Sequence, residues 1–497
     1  MTKNTIIGRL ESLSTTVVVV AAVSFIGYFL VLAIMRAQYP FELEWMEGSM
    51  VDHIVRILHG QALYCKPSLE FVPLRYAPLY YYLGAVISSV MGIGFLPLRL
   101  ISIISALGCF TLIYMIVKRE TGSWKPALVA AGFFAATYPV TGSFMDIARV
   151  DSLSLCLTLG GIYVFRHTVT VRQSLLAGLL FALAFLAKQS ALPIAAAVLL
   201  SGLVRDWRHV LWTGSTLAII LILSTVVLNI AYDGWYSLYV FDLGSEIIFK
   251  ENPFILLLKL GYQLFKPFGI AMLFSLWYLF NRLHHDFRST GIFFFLMAGG
   301  MICATYLSRI QPHGWINTFM PAAAAFAILL GLAVDRLLTI VKDKYGQHTV
   351  WHYVPFLLIL QFGILTYDPR PHLPTAEDEA AGWELIAMIE SIDGEVFLPF
   401  HGHLASIAGK GRYLHSHSIL DFTGPEGERL RQALDQEIKE AISKKQFETI
   451  ILDRYWYMEE IARHYRIVGP VFNKPDVFLP VTGCKVRPSA VYVIRQD

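Results

Sequence analysis

The 497-residue chain is short of charge. Asp, Glu, Lys and Arg make up 15% of it, against about 25% in an ordinary soluble domain, too few to coat a water-facing surface of this size. The charges nearly balance, 40 basic against 37 acidic residues, which removes the general electrostatic case for nucleic acid or another polyanion as partner. Cysteine is scarce too. Cys65, Cys109, Cys156, Cys303 and Cys484 form no CxxC pair and no metal-ligand spacing, which excludes a zinc ribbon and a disulfide scaffold. Cys65 and Cys484 fall on the same side of the membrane in the topology below, so a pairing between them stays open. A nucleotide-binding phosphate loop is also missing. Gly409-Lys410-Gly411 lacks the following Ser or Thr and the upstream glycine spacing, and reads as a turn.

What the chain has in quantity is apolar sequence: hydrophobic residues reach 56% and the mean hydropathy is +0.55. The better apolar runs approach the roughly 20 residues that cross about 30 Å of hydrocarbon. Spans are expected near Thr16 to Ala37, Leu98 to Val117, Pro126 to Phe144, Ser152 to Val164, Ser174 to Ala187, Ala191 to Val204, Val210 to Tyr232, Phe254 to Phe280, Gly291 to Leu307, Trp315 to Val334 and Val350 to Tyr367. The first is too long for a signal-peptide core and lacks a small-residue cleavage site, so it is expected to stay as an anchor. Lys118, Arg119, Lys125, Arg166, Arg172, Arg205, Arg208, Arg282, Arg288, Arg336, Lys342 and Lys344 then fall on cytoplasmic turns, consistent with positive-inside bias. This alternation requires that Leu79 to Leu96, broken by Gly84, Gly92 and Gly94, be interfacial or re-entrant.

After Asp368 the pattern changes. Residues 369–497 alternate short apolar runs with amphipathic ones; Glu395 to Pro399 and Thr449 to Leu452 read as strands, and Gly427 to Ile442 as a helix. The expected architecture is therefore an α-helical polytopic membrane protein, with about 11 transmembrane helices plus interfacial ones over residues 1–368 and an extracytoplasmic α/β domain over 369–497. It would be integral to the cytoplasmic membrane with its N-terminus inside.

Ionisable residues near membrane depth are costly and point to function. Those not explained by topology share the outer face: Glu42, Glu44, Glu47 and Asp52 in the first loop, then Arg75-Tyr76, Arg149 and Asp151 in the second turn, Lys188 at a helix end, and Arg309 with His313. Each has a plainer reading. Loop acids are ordinarily solvated, Lys188 can snorkel, Arg149 and Asp151 can form a structural pair, and Tyr80 to Tyr82 can be an aromatic belt.

Taken in order, these motifs resemble membrane glycosyltransferases of the GT-C fold, which include protein O-mannosyltransferases and the aminoarabinose transferases that modify lipid A. The resemblance runs from the acidic first loop through Gly60, Tyr64 and Tyr76-Ala77-Pro78-Leu79-Tyr80 to Ala148-Arg149-Val150-Asp151, Ala187-Lys188-Gln189 and Pro312-His313-Gly314. It departs in two places: Met46-Glu47 stands where many members have Asp-Glu, and Arg75 lies one step before the position where a lysine is usual. The resemblance implies a polyprenyl-phosphate-linked sugar as donor and a cell-envelope glycan, lipid or protein as acceptor, with membrane lipid around it. It implies transfer with inversion, in which a carboxylate takes the acceptor's hydroxyl proton. Glu47 is the nearest match for that base, Glu44 is the rival, and Asp151 would orient. Lys188, Arg75 and Arg309 are the cations available for the donor phosphate, with Tyr76, Tyr80, Arg149 and His313 as further substrate contacts. Some relatives use a divalent cation, so one stays open, though no ligand spacing calls for it. The competing class is a lipid-linked sugar flippase or transporter, or a non-catalytic polysaccharide-assembly protein, for which midplane charges or two related halves would be the sign.

Overall fold

The computed structural model describes residues 3–243, 252–311, 314–345 and 353–496. The membrane module is helical throughout: α1 (Lys3–Ala37), α2 (Glu47–Leu58), α3 (Leu79–Met91), α4 (Phe95–Thr121), α5 (Trp124–Ala136), α6 (Asp151–Arg166), α7 (Val171–Ala187), α8 (Ala191–Gly202), α9 (Trp207–Ala231), the single turn α10 (Trp235–Ser237), α11 (Pro253–His285), α12 (Ile292–Arg309), α13 (Met320–Tyr345) and α14 (Tyr353–Ile364). Among the described residues, six stretches are long and apolar enough to cross a bilayer: Leu13–Ala37, Phe95–Thr121, Trp207–Ala231, Pro253–His285, Ile292–Arg309 and Ile316–Ile340. The other expected spans fall on α5, α6, α7, α8 and α14, of 12 to 17 residues, or about 18–26 Å of helix.

The shortfall has a local cause that matters for the site. The expected span Pro126 to Phe144 is helical only to Ala136, and residues 137–150 continue as largely buried turns. Pro139 and Gly142, the latter at φ +79°, interrupt helical geometry. Non-helical backbone at such depth survives because protein rather than lipid surrounds it. The stretch Leu79 to Leu96 supplies α3, whose 13 residues span about 20 Å and whose Val86 and Val90 point outward; by length it belongs with the short helices.

The bundle packs around α13, where Ala322–Ala325 are fully buried and small side chains let helices approach closely. The same device operates at Gly132, where a Cβ would lie 2.4 Å from the Cα of Ala22.

The C-terminal domain comprises α15 (Ala376–Glu390), β1 (Val396–Phe397), α16 (Gly402–Ile407), α17 (Ser416–Leu420), α18 (Gly424–Ser443), β2 (Thr449–Leu452), α19 (Met458–His464), β3 (Tyr465–Pro470) and β4 (Ala490–Ile494). Its sheet has the order β1-β2-β4-β3, with β1 and β2 parallel and the other pairs antiparallel. The expected strands and helix are present as β1, β2 and α18. This domain is seated on the membrane module: Met46, Met50 and Ile54 share an apolar core with Phe397, Phe400 and Ile450, and Phe41 packs with Ala381 and Leu385. Backbone bonds from Thr482 N to the Leu43 carbonyl and from Leu414 N to the Leu69 carbonyl, both 2.9 Å, complete the seam. The loop between α1 and α2 is consequently buried beneath the domain. The five cysteines are free thiols, Cys65 and Cys484 included.

Candidate active site

The seam explains why the first-loop acids are not solvated. Glu42, Glu44, Glu47 and Asp52 are all buried, and a buried ion costs several kcal/mol unless it is paired. Each is paired with a cation or histidine from elsewhere in the chain: Glu42 with His401, Glu44 with Arg149 at 2.8 Å, Glu47 with Arg99 at 2.7 Å, and Asp52 with His403 at 3.3 Å and Arg412 at 3.6 Å.

Glu47 and Glu44 differ in what their oxygens have left to do. Both Glu47 and Arg99 are 0% exposed. Oε1 of Glu47 accepts from Arg99 Nε at 3.0 Å and Ala148 N at 2.7 Å; Oε2 accepts from Arg99 Nη2 and Leu43 N, both at 2.7 Å. Four donors fill the roughly four lone-pair positions of a carboxylate. Burial opposes ionisation of Glu47, but Arg99 and the two backbone donors outweigh it and hold the carboxyl below its usual range. In Glu44, Oε2 accepts from Arg149 and, at 3.3 Å, from Met46 N, while no described donor reaches Oε1. Burial is the larger influence here, Arg149 opposes it only in part, and the carboxyl is pushed up to about 7.

One short segment ties the acids together. The Ala148 N–H donates to Glu47, the Arg149 side chain to Glu44, and Asp151 opens α6 facing Lys188. Asp151 Oδ1 accepts from Lys188 Nζ at 2.6 Å and Asn317 Nδ2 at 3.0 Å, while its buried Oδ2 has no partner among the described residues. Lys188 caps the C-terminus of α7, where the free carbonyls of a helix end favour a cation. A small cavity of about 20 Å³ opens beside this pair, lined by Asp151, Lys188, Ser190, Ser308, Asn317 and Thr318.

Of the other expected site residues, Tyr76 joins the network by accepting from Arg149 Nη2 at 2.7 Å. Arg75 points to Asp421 of the C-terminal domain at 3.3 Å, but its carbonyl accepts from Gln189 Nε2 at 2.6 Å, next to Lys188. Arg309 donates to the Gly314 carbonyl. Tyr80 turns away, bonding the Leu98 carbonyl at 2.9 Å between α3 and α4. His313 lies outside the described residues. Sequence reasoning missed Arg99, Asn317 and His401. The first two sit at the outer ends of apolar runs, where a polar residue is itself a signal; His401 offered none, being far along the chain in a soluble-looking domain.

Residues 75–232, which include Tyr76, Arg149, Asp151 and Lys188, match the family model of dolichyl-phosphate-mannose-protein mannosyltransferase. Among solved structures the chain is similar to ArnT from Cupriavidus metallidurans bound to undecaprenyl phosphate, and to the same protein in the apo state. In both cases the identity is 13%, the match covers 95% of this chain and 97% of that one, and the TM-score is 0.59. Comparison with curated proteins gives no match. The fold resemblance expected from the motifs, to GT-C enzymes of the mannosyltransferase and ArnT kind, is thus borne out.

Proposed function

We propose that the chain is an integral-membrane glycosyltransferase that moves a sugar from a polyprenyl phosphate to a cell-envelope acceptor on the extracytoplasmic face, with inversion. The observation that carries this reading is a buried carboxylate with one unused oxygen, Glu44, linked through the Arg149–Asp151 segment to a second carboxylate held by a lysine. In the reaction the acceptor hydroxyl oxygen attacks the anomeric carbon, Glu44 takes its proton, and the bond from that carbon to the phosphate oxygen breaks. A carboxyl poised near 7 suits general-base work at neutral pH. The departing polyprenyl phosphate keeps the bonding electrons, and Lys188 stabilises the charge; Asp151, with its unpartnered oxygen, orients the acceptor or the lysine. Glu47 in this reading holds the loop. The positive-inside pattern and the family resemblance support an outer location for the site and the C-terminal domain.

The test is reconstitution of the full chain in liposomes with undecaprenyl-phosphate-linked hexoses and pentoses and a cell-envelope extract, with products followed by mass spectrometry. Transfer is expected from the parent chain and not from Glu44→Gln or Asp151→Asn. Survival of transfer in both variants would remove the assignment, and movement of the donor across the bilayer without any transfer would favour a transporter.

A further inference from the structure

A cleft of about 390 Å³ lies on the seam between α2 and the 406–415 segment of the outer domain, apart from the Glu44–Asp151 network. Its volume falls in the roughly 300–1,000 Å³ range of small-molecule sites. The walls are polar and of both signs: Asp52, Arg56, Gln61 and Glu70 from the membrane module, Arg412 and Tyr413 from the outer domain. The Gly409-Lys410-Gly411 turn forms part of the rim.

Two guanidinium groups stand out. Arg56 lies flat over Phe71, 4.1 Å from the ring centroid, and donates Nε to the Ala62 carbonyl at 3.1 Å; no described acceptor takes its Nη1. Arg412 is partly exposed and, among the described residues, has Asp52 at 3.6 Å as its counter-ion. One comes from each module, so a ligand bridging them would touch both sides of the seam. Guanidinium groups match a carboxylate bidentately. The acids and the amide across the cleft suit neutral hydroxyls, which donate to Asp52 and Glu70 and accept from Gln61. Inorganic phosphate could pair with the guanidinium groups but lacks the several hydroxyls that would satisfy the acids and the amide. We propose that this cleft seats an acidic saccharide, a sugar bearing a carboxylate, held by Arg56 and Arg412. Its role as part of the acceptor rests on the transferase reading above. Asp52 lies five residues after Glu47 on α2, a rise of roughly 8 Å, so a chain bound in the cleft would lie close to the first-loop acids.

The test is direct binding to the full chain in detergent, by saturation-transfer NMR and titration, using trigalacturonate, maltotriose and inorganic phosphate as probes. Trigalacturonate is expected to bind at least about tenfold more tightly than either other probe, and to lose about tenfold, or ~1.4 kcal/mol, in Arg412→Gln and in Arg56→Gln. Arg412 is the safer of the two sites because it is partly exposed, so its variant carries the result if Arg56→Gln fails to fold. Equal binding of the charged and neutral sugars, binding of phosphate as tight as the uronate, or an unchanged affinity in Arg412→Gln would overturn the proposal. Transfer from the lipid-linked donor by the parent chain is measured separately. Its absence would count against the transferase reading, whereas the binding data decide the cleft alone.

Discussion

Replacing Glu47 by Gln separates a structural acid from a catalytic one. The substitution keeps the shape but removes the counter-ion of Arg99, a side chain with no solvent exposure. Arg99 would retain its bonds to the Tyr39 and Phe41 carbonyls, both 2.6 Å, and to the Arg36 carbonyl at 3.2 Å, yet stay as an uncompensated buried charge. Breaking such a pair costs about 3–5 kcal/mol. The amide adds a second fault: its NH₂ must face either Leu43 N–H or Ala148 N–H, both of which donate to the carboxylate, and one orphaned backbone donor costs about 1–3 kcal/mol. Thermal unfolding of the detergent-solubilised chain should therefore show a midpoint lower by several degrees, and activity should fall along with the folded fraction. Glu44→Gln should cost less stability, since a carboxyl pushed up to about 7 is only partly ionised at neutral pH and a glutamine oxygen can still accept from Arg149; its midpoint should fall less than that of Glu47→Gln while turnover drops about 10²–10⁴-fold. If Glu47→Gln kept the parent's midpoint and lost turnover on that scale, Glu47 would be the base and the reasoning from filled lone pairs would be wrong.

With Glu44 as base and its carboxyl near 7, turnover should rise as pH increases through about 7, because the ionised form is the active one; a rate flat from pH 5 to 9 would contradict this. Removing Arg149 as Arg149→Met deletes the charge that opposes the burial effect, so that rising limb should move to higher pH, and a limb left in place would show that Arg149 does not set it. Lys188→Met should raise KM for the lipid-linked donor and slow its turnover, leaving Asp151 buried with only Asn317 as donor; an unchanged donor KM and turnover would free Lys188 of the phosphate role. His401, between Glu42 and Asp453, is disfavoured as a cation by burial, but the two carboxylates prevail and push it from 6.5 up to about 10. Its charged form thus stabilises the fold fully below about pH 6.5 and less as pH rises through about 10, so the gap in unfolding midpoint between the parent and His401→Gln should be largest at the acid end and narrow on alkalinisation. A gap that is constant with pH would mean that the histidine acts by packing alone.

The parts of the site legible in the sequence were those whose residue type clashed with its surroundings. Asp151 and Lys188 interrupt apolar runs, and a charge there invites a search for its partner; the structure pairs them at 2.6 Å. Resemblance alone ranked Glu47 ahead of Glu44 as the base; the two share a loop and a residue type, which gives no physical ground for choosing between them. What distinguishes them is which partner folds back onto each, and Arg99 lies 52 positions from Glu47 while Arg149 lies 105 from Glu44. The helix count was legible only in outline for a related reason. Apolar composition shows that residues 137–144 are buried, but not whether lipid or protein buries them, and only lipid demands a helix.

That ambiguity bears on how the site works. The segment 145–150 makes its contacts because it is not helical: the Ala148 amide is free for Glu47 instead of an intrahelical carbonyl, and Arg149 reaches Glu44 and Tyr76 at once. A regular helix carried on through Ala148 would have bonded that amide to its own carbonyl ladder and left Glu47 without it. The C-terminal domain completes the arrangement from the other side. His401 holds Glu42, two residues before Glu44, and a Cβ on Gly48 would meet Glu42 Oε1 at 2.1 Å and His403 Cβ at 2.9 Å. Gly48 therefore lets the start of α2 press against both the loop and the domain above it. Glu44 is held between a broken helix on one side and the C-terminal domain on the other, and its raised pKa follows from that enclosure, since the same burial that excludes water is the largest influence on it.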